Sequence, residues 1–238
     1  MFAPAAFVPK DVYLPGIISS PSGPTRSELV MAKHGLPTLP ELTGSQDLHG
    51  CLECEGLGNQ WGKVREAYYF AKQAHAGQQR DDGSPYYHHP ARTAKIAIEQ
   101  FGVKDADAIN AMLLHDVLED TSVKPAEIER RFGAKTLHYV NLLSKPEPLP
   151  GETFDQRNAR YLQRIEDAGL PDLIALKLAD RMDNIDDVHL VPDRPKIGRY
   201  LEDTKSHYLP LAQRHFPEAA QRMSDKIERV ESWLSATV

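Results

Sequence analysis

The chain has 238 residues, 41% of them hydrophobic and 26% charged, with 28 basic against 34 acidic side chains for a net charge of −6. That suits one globular domain with extensions and excludes a global basic field that would hold nucleic acid or an anionic membrane surface. A phosphate-rich ligand would have to be met locally, and no apolar run reaches the roughly 20 residues that span a bilayer.

Residues 1–60 are rich in Pro, Gly, Ser and Thr and show little periodicity, so they read as an irregular extension with at most a short helix around Arg26–His34. No basic patch precedes an apolar core at the N-terminus, so a secretory signal is not expected. Its Ser and Pro content faintly resembles an organelle transit peptide, against which Asp11 and the scarcity of Arg argue. A cytoplasmic setting is expected. Cys51 and Cys54 form a lone Cys-x-x-Cys, too little for a zinc site, and read as two loop thiols in a reducing compartment.

From Trp61 the texture changes, with Val64, Ala67, Tyr68, Ala71 and Ala74 at helical spacing. A loop from Gly77 to Pro85 follows, then a second helix after Pro90 and a third, strongly buried one over Lys104–Leu118. Pro125 opens a fourth helix ended by Gly133, and Ala134–Leu143 forms a fifth. Lys145–Gly151 is a stiff, proline-rich connection. Thr153–Ala168 is a charged helix ended by Gly169, and Pro171 sits in the first turn of the next. After a break at Val191–Pro195 come Ile197–Tyr208 and Pro217–Leu234. No strand-like alternation appears. The class is all-α, an irregular helical bundle with a single core over residues 61–238.

The third helix carries the chemistry. His115, Asp116, Glu119 and Asp120 follow the apolar run Ala111–Leu114 at once. At about 100° per residue, His115 stacks with Glu119 and Asp116 with Asp120, so all four project from one face. Burial gives no reason to place four such groups against an apolar stretch unless something offsets their desolvation. A metal ion with a phosphorylated substrate would do so. Further ligands must come from other elements. His89, in Pro85-Tyr-Tyr-His-His-Pro90, is one candidate, with His88 as its rival. Asp180, late in an apolar helix, is another, and Asn184 shares its face. His89, His115, Asp116 and Asp180 make a mixed nitrogen and oxygen set that suits Mn, Fe, Co or Zn. Such an ion polarises a phosphoryl oxygen and acidifies water. Glu119 and Asp120 lie close enough to handle a proton. His75 reads as a structural hydrogen-bonding residue, and His138, His189, His207 and His215 as surface or helix-face residues.

His89-Pro90, His115-Asp116-x-x-Glu119-Asp120 and Leu178-Ala179-Asp180-Arg181-x-x-Asn184 together resemble the HD-domain hydrolases. More closely, they resemble the hydrolase domain of the RelA/SpoT type, which also occurs alone as small alarmone hydrolases. Ala74–Tyr86 is similar to that subfamily's first block, and Phe132-Gly133 and Ser144-Lys145 to its middle. The likeness spans roughly residues 62–190. It implies a Mn²⁺-dependent hydrolase that removes the 3′-pyrophosphate of guanosine tetra- and pentaphosphate. It also implies His89, His115, Asp116 and Asp180 as metal ligands and Glu119 and Asp120 as the acidic pair that positions or activates water. Arg80 would pack near the guanine and Asn184 near the ribose. The stretch after residue 190 is too short for the family's synthetase domain, so synthesis is not expected.

The sequence also departs from the family's pattern. Asp81-Asp82 follow Arg80 where a basic residue is common, and Asp183, Asp186 and Asp187 surround Asn184. Carboxylates near a polyphosphate repel it. They either form a solvated helix end or point to a less charged substrate. Two alternatives therefore stand beside the alarmone: another nucleotide or a phosphorylated cofactor such as NADPH, and a non-catalytic nucleotide-sensing module. The partner expected is a small nucleotide, not nucleic acid or membrane.

Overall fold

The structure, a computed structural model, describes residues 45–80, 83–191 and 193–236. Helix α1 covers Ser45–Cys54, and a 3-10 turn at Gly58–Gln60 leads into α2 (Trp61–Ala74). A loop closed by a β-bridge between Gln79 and Pro85 leads to α3 (His88–Phe101). Then come α4 (Ala106–Leu114), a short α5 (Val117–Asp120), α6 (Pro125–Leu143), α7 (Phe154–Asp167) and α8 (Pro171–Asp187). After a 3-10 turn at Val188–Leu190, α9 (Arg194–Asp203), a π turn (Thr204–Tyr208), α10 (Leu209–His215) and α11 (Pro217–Ala236) complete the bundle. Among the described residues there is no β-strand, and no helix is long and apolar enough to cross a membrane. The all-α bundle expected from the periodicity is what forms. Arg26–His34, Asp81 and Asp82 lie outside the described residues.

Helix α4 is the axis. Ala108 to Leu114 are all buried, because α2, α3 and α6 pack around them. Asp105 starts the helix, its carboxylate accepting the Asp107 N–H at 2.9 Å. Helix α8 packs on α3, on α4 and on α11, so the strands of sequence around His89, His115 and Asp180 converge by packing of apolar faces.

Four expectations are corrected. Residues 45–54 are helical, and Leu48, Cys51 and Leu52 join the same core as α2 and α3. Cys51 and Cys54 are thus helix residues, both free thiols, Cys51 buried and Cys54 exposed. Burial, with Glu99 adding, pushes the Cys51 thiol up to about 12. The second helix starts at His88, before Pro90, whose missing N–H falls among the first-turn donors that have no helical partner anyway. The third helix stops at Leu114, where the His115 ring donates from Nδ1 to the Met112 carbonyl at 2.7 Å. Asp116, at φ −94° and ψ −8°, turns the chain before α5 restarts. The single continuous helix expected to carry the four side chains is therefore interrupted, with His115 buried and Glu119 and Asp120 exposed, although Glu119 still lines one cleft with His115 and Asp116. Finally, the helical stretch expected over Ile197–Tyr208 begins earlier, at Arg194, and runs on through a π turn into α10. Gly133 behaves as expected, kinking α6 at φ 90° where a side chain would be strained.

Candidate metal centre and substrate cleft

The first turn of α3, the α4–α5 junction and the second half of α8 meet at a polar cleft of about 160 Å³. His89, His115 and Asp180 each offer a ligand atom there, all within 4.8 Å of one another. Asp116 Oδ2 lies 3.0 Å from His115 Nε2 and 3.8 Å from His89 Nε2. The structure therefore gathers all four residues read as ligands, with Asp116 at the side of the tighter trio. His88 is buried with its ring edge-on to Tyr87 and stands outside that trio.

The proton arrangement decides what the cluster can hold. His89 Nδ1 faces the Asp183 carboxylate at 2.6 Å, and His115 Nδ1 faces the Met112 carbonyl at 2.7 Å. Both acceptors require the proton on Nδ1, which leaves each Nε2 with a lone pair. Those lone pairs point at carboxylate oxygens: Asp180 Oδ1 is 3.3 Å from His89 Nε2 and 3.8 Å from His115 Nε2. His115 Nε2 is buried without a hydrogen-bond partner. Lone pairs converging on lone pairs need a cation between them, and a divalent transition metal fits this donor set. Without metal, protons take that role. Burial pulls His89 down, but its hydrogen bonds to the Asp180 and Asp183 carboxylates override that and raise the ring to about 9. Burial also opposes charge on Asp116 and Asp180. The imidazole of His115 nonetheless holds Asp116 below the ordinary carboxylate range, and Lys177 with the imidazoles does the same for Asp180.

Glu119 lines the cleft, its Oε1 accepting the Lys145 N–H at 2.9 Å. Asp120 sits beyond the lining and is tied to it by Tyr86. The Tyr86 hydroxyl is 2.7 Å from Asp116 Oδ2 and 3.0 Å from Asp120 Oδ2, so one phenolic proton is shared between the cluster and the acidic pair. His75 stacks on Tyr86 with ring centroids 4.6 Å apart and pairs with Gln78, the structural role expected of it.

Sequence reasoning missed Tyr86, Lys177 and Arg92. Lys177 is buried and donates to Asp180 Oδ2 at 2.8 Å. Its place three residues before Asp180 on one helix was a signal available in the sequence. Arg92 could not be found that way, since its partners lie on another helix.

Arg80 and Asn184 form the wall between the cleft and a second cavity of about 300 Å³, lined also by Asp187, Val188, Lys196 and Tyr200. Arg80 Nη2 donates to Asn184 Oδ1 at 3.0 Å, and Asn184 Nδ2 donates to Asp180 Oδ1 at 2.7 Å. The acidic departures around Asn184 are matched by cations. Asp183 is buried, not a solvated helix end, and binds Arg92; Asp186 binds Lys226; Asp187 binds Arg92 and lies 3.4 Å from Arg80 Nε. His189, expected as a surface or helix-face residue, is buried against Trp233.

Known proteins are similar to this chain over much of its length. The guanosine-3′,5′-bis(diphosphate) 3′-pyrophosphohydrolase of Aquifex aeolicus is 35% identical over 152 residues, 64% of this chain and 21% of that protein. The bifunctional (p)ppGpp synthase/hydrolase SpoT of Escherichia coli is 35% identical over 155 residues, 64% of this chain and 22% of its own. The chain thus spans about a fifth of the length of these curated relatives. It covers 73% of the mouse guanosine-3′,5′-bis(diphosphate) 3′-pyrophosphohydrolase MESH1, at 33% identity over 137 residues, 56% of this chain. A solved structure described as a metazoan ortholog of SpoT that hydrolyzes ppGpp superposes with a TM-score of 0.59, covering 70% of this chain and 94% of that one at 23% identity, a likeness of fold. A family model described as HD domain matches residues 67–215, the stretch that carries every one of the converging side chains. The chain belongs to the HD-domain family, whose hydrolases depend on a metal.

Proposed function

We propose that the chain hydrolyses guanosine 3′,5′-bis(diphosphate) and its pentaphosphate counterpart, removing the 3′-pyrophosphate and leaving GDP or GTP, with Mn²⁺ held by His89, His115, Asp116 and Asp180. The observation that carries this reading is the pair of buried imidazoles whose Nε2 lone pairs converge on carboxylates. The names of the relatives supply the substrate class. Bound there, the ion would supply Lewis-acid polarisation of a phosphoryl oxygen. The chain's own residues do the rest. Arg80, Lys145 and Lys177 border the cleft and meet phosphate charge that the net negative chain otherwise repels. The wider cavity, with Tyr200 and Val188 on its walls, takes the nucleoside, and Asn184 stands at the ribose between the two spaces. Glu119 takes a proton from the attacking water. Asp120 orients Tyr86 at the rim. Of the acids that suggested a less charged substrate, Asp183, Asp186 and Asp187 have cation partners, which weakens the case for that alternative, while Asp81 and Asp82 lie outside the described residues. A reducing, cytoplasmic setting suits the exposed free thiol of Cys54.

The test is pyrophosphate release from guanosine tetraphosphate with Mn²⁺, beside Asp116→Ala. Release that the substitution abolishes supports both chemistry and substrate class. Silence on this nucleotide with Mn²⁺ bound sends the reading to other phosphorylated nucleotides and cofactors.

Metal affinity should also depend on pH in a defined direction. In the metal-free protein His89 is raised from 6.5 to about 9, so below that value the ring keeps a proton that Mn²⁺ must displace. Mn²⁺ affinity is expected to climb with pH through that window. Calorimetric titration at its two ends checks this, and equal affinities would contradict it.

A further inference from the structure

Behind the lining of both spaces, one side chain links residues that serve each of them. Arg92, on the second turn of α3, reaches across to α8 and donates from Nε to Asp183 Oδ1 at 2.7 Å and from Nη2 to Asp183 Oδ2 at 2.9 Å. The same Nη2 also meets Asp187 Oδ2. Asp183 in turn holds His89 Nδ1 at 2.6 Å, and Asp187 lies 3.4 Å from Arg80 Nε. Arg80 continues through Asn184 to Asp180, whose Oδ1 faces His89 Nε2. The contacts close a ring: His89, Asp183, Arg92, Asp187, Arg80, Asn184, Asp180 and back to His89.

We infer that Arg92 is a positioning residue that fixes His89 in the metal cluster and Arg80 at the substrate cavity together, by clamping Asp183 and Asp187 on α8. This rests on the Mn²⁺ site proposed above. Asp183 and Asp187 are one helical turn apart, and like charges at that spacing repel. Asp183 is almost fully buried and the Asp187 side chain is only 12% exposed, so solvent does little to screen them. The planar fork of an arginine grips Asp183 with two parallel donors and still reaches Asp187, whereas a lysine ammonium offers the charge without that two-point grip. Remove it, and the two carboxylates separate, carrying the partner of His89 one way and the partner of Arg80 the other. Outer partners of a ligating histidine fix its ring orientation, and their loss weakens metal binding about 10–100-fold.

The experiment uses the full chain with substitutions Arg92→Met, Arg92→Lys and Arg92→Met combined with Asp187→Asn. Mn²⁺ affinity is read by calorimetry, KM and kcat are read on guanosine tetraphosphate at saturating Mn²⁺, and circular dichroism reports folding. Arg92→Met is expected to weaken Mn²⁺ binding about tenfold and to raise KM more than it lowers kcat. Adding Asp187→Asn removes the repulsion beside Arg80 and brings KM back, while Mn²⁺ affinity stays low because Asp183 still lacks its clamp. Arg92→Lys keeps charge without the fork and should weaken Mn²⁺ binding too; it serves should the methionine variant not fold. Wild-type Mn²⁺ affinity and KM in either single variant overturn the coupling alone. A native chain that binds no Mn²⁺, or leaves the nucleotide intact, overturns the proposed function and the coupling with it.

Discussion

Glu119→Gln is expected to lower kcat by about 10²–10⁴ while leaving Mn²⁺ affinity at the wild-type level. Glu119 is exposed and lines the cleft, yet it stands outside the trio of ligand atoms. Its Oε1 is occupied by the Lys145 N–H, which orients the carboxylate and leaves its other oxygen for water. Glutamine preserves the size and the contact to Lys145 but cannot accept a proton. Asp120→Asn should cost less, because Asp120 is outside the lining and acts through the Tyr86 hydroxyl. The two variants are to be compared by kcat at saturating substrate and Mn²⁺, beside a metal titration of each. Loss of metal in Glu119→Gln would recast that residue as a ligand, and equal kcat losses would place Asp120 in the chemistry itself.

The order of helices was legible because apolar spacing, proline starts and glycine stops agree along most of the chain. Pro125, Gly133, Gly169 and Pro171 each sit where local backbone chemistry demands. What was not legible depended on contacts between elements. Among the described side chains of helix α1, Leu48, Cys51 and Leu52 mark its buried face, too few to stand out from a stretch rich in glycine and polar residues. The stop at Leu114 was hidden because every residue from Met112 to Leu118 tolerates a helix. At the break the His115 ring bonds the Met112 carbonyl, and no periodicity registers that.

The candidate site shows the same division. His115, Asp116 and Asp180 were singled out because polar groups in apolar runs are costly, and His89 by its motif at a helix entry; the fold brings all four to one cleft. The acids at 183, 186 and 187 were read as surplus negative charge, since a linear sequence does not reveal what neutralises them. Their partners, Arg92 and Lys226, come from α3 and α11, far away in sequence. Charge that looks repulsive within one segment is here part of a paired network, and only the packing of α3 and α11 on α8 makes it so.

Asp180→Asn is expected to abolish metal binding and to destabilise the protein by about 3–5 kcal/mol. Its two oxygens serve different partners. Oδ2 accepts from Lys177 at 2.8 Å, while Oδ1 accepts from Asn184 at 2.7 Å and faces both imidazoles. Burial works against charge on Lys177, and Asp180 overcomes it, holding the ammonium well above its ordinary range. The other groups around that ammonium are the rings of Tyr161 and Tyr208, at 5.1 and 6.0 Å. Ring faces attract a cation, and a buried pair of this kind is worth about 2 kcal/mol, less than a lost carboxylate. Asparagine keeps the shape of Asp180 and removes the charge, so it leaves a buried ammonium without its counter-ion. Adding Lys177→Met removes that ammonium and should return most of the lost stability, whereas metal affinity should stay absent because the carboxylate is still missing. Urea unfolding and Mn²⁺ titration of the single and double variants separate the two effects. Stability that fails to recover in the double variant would mean the loss lies with Asn184 and the imidazoles, not with Lys177. Recovered metal binding would mean that His89, His115 and Asp116 suffice to hold the ion without Asp180.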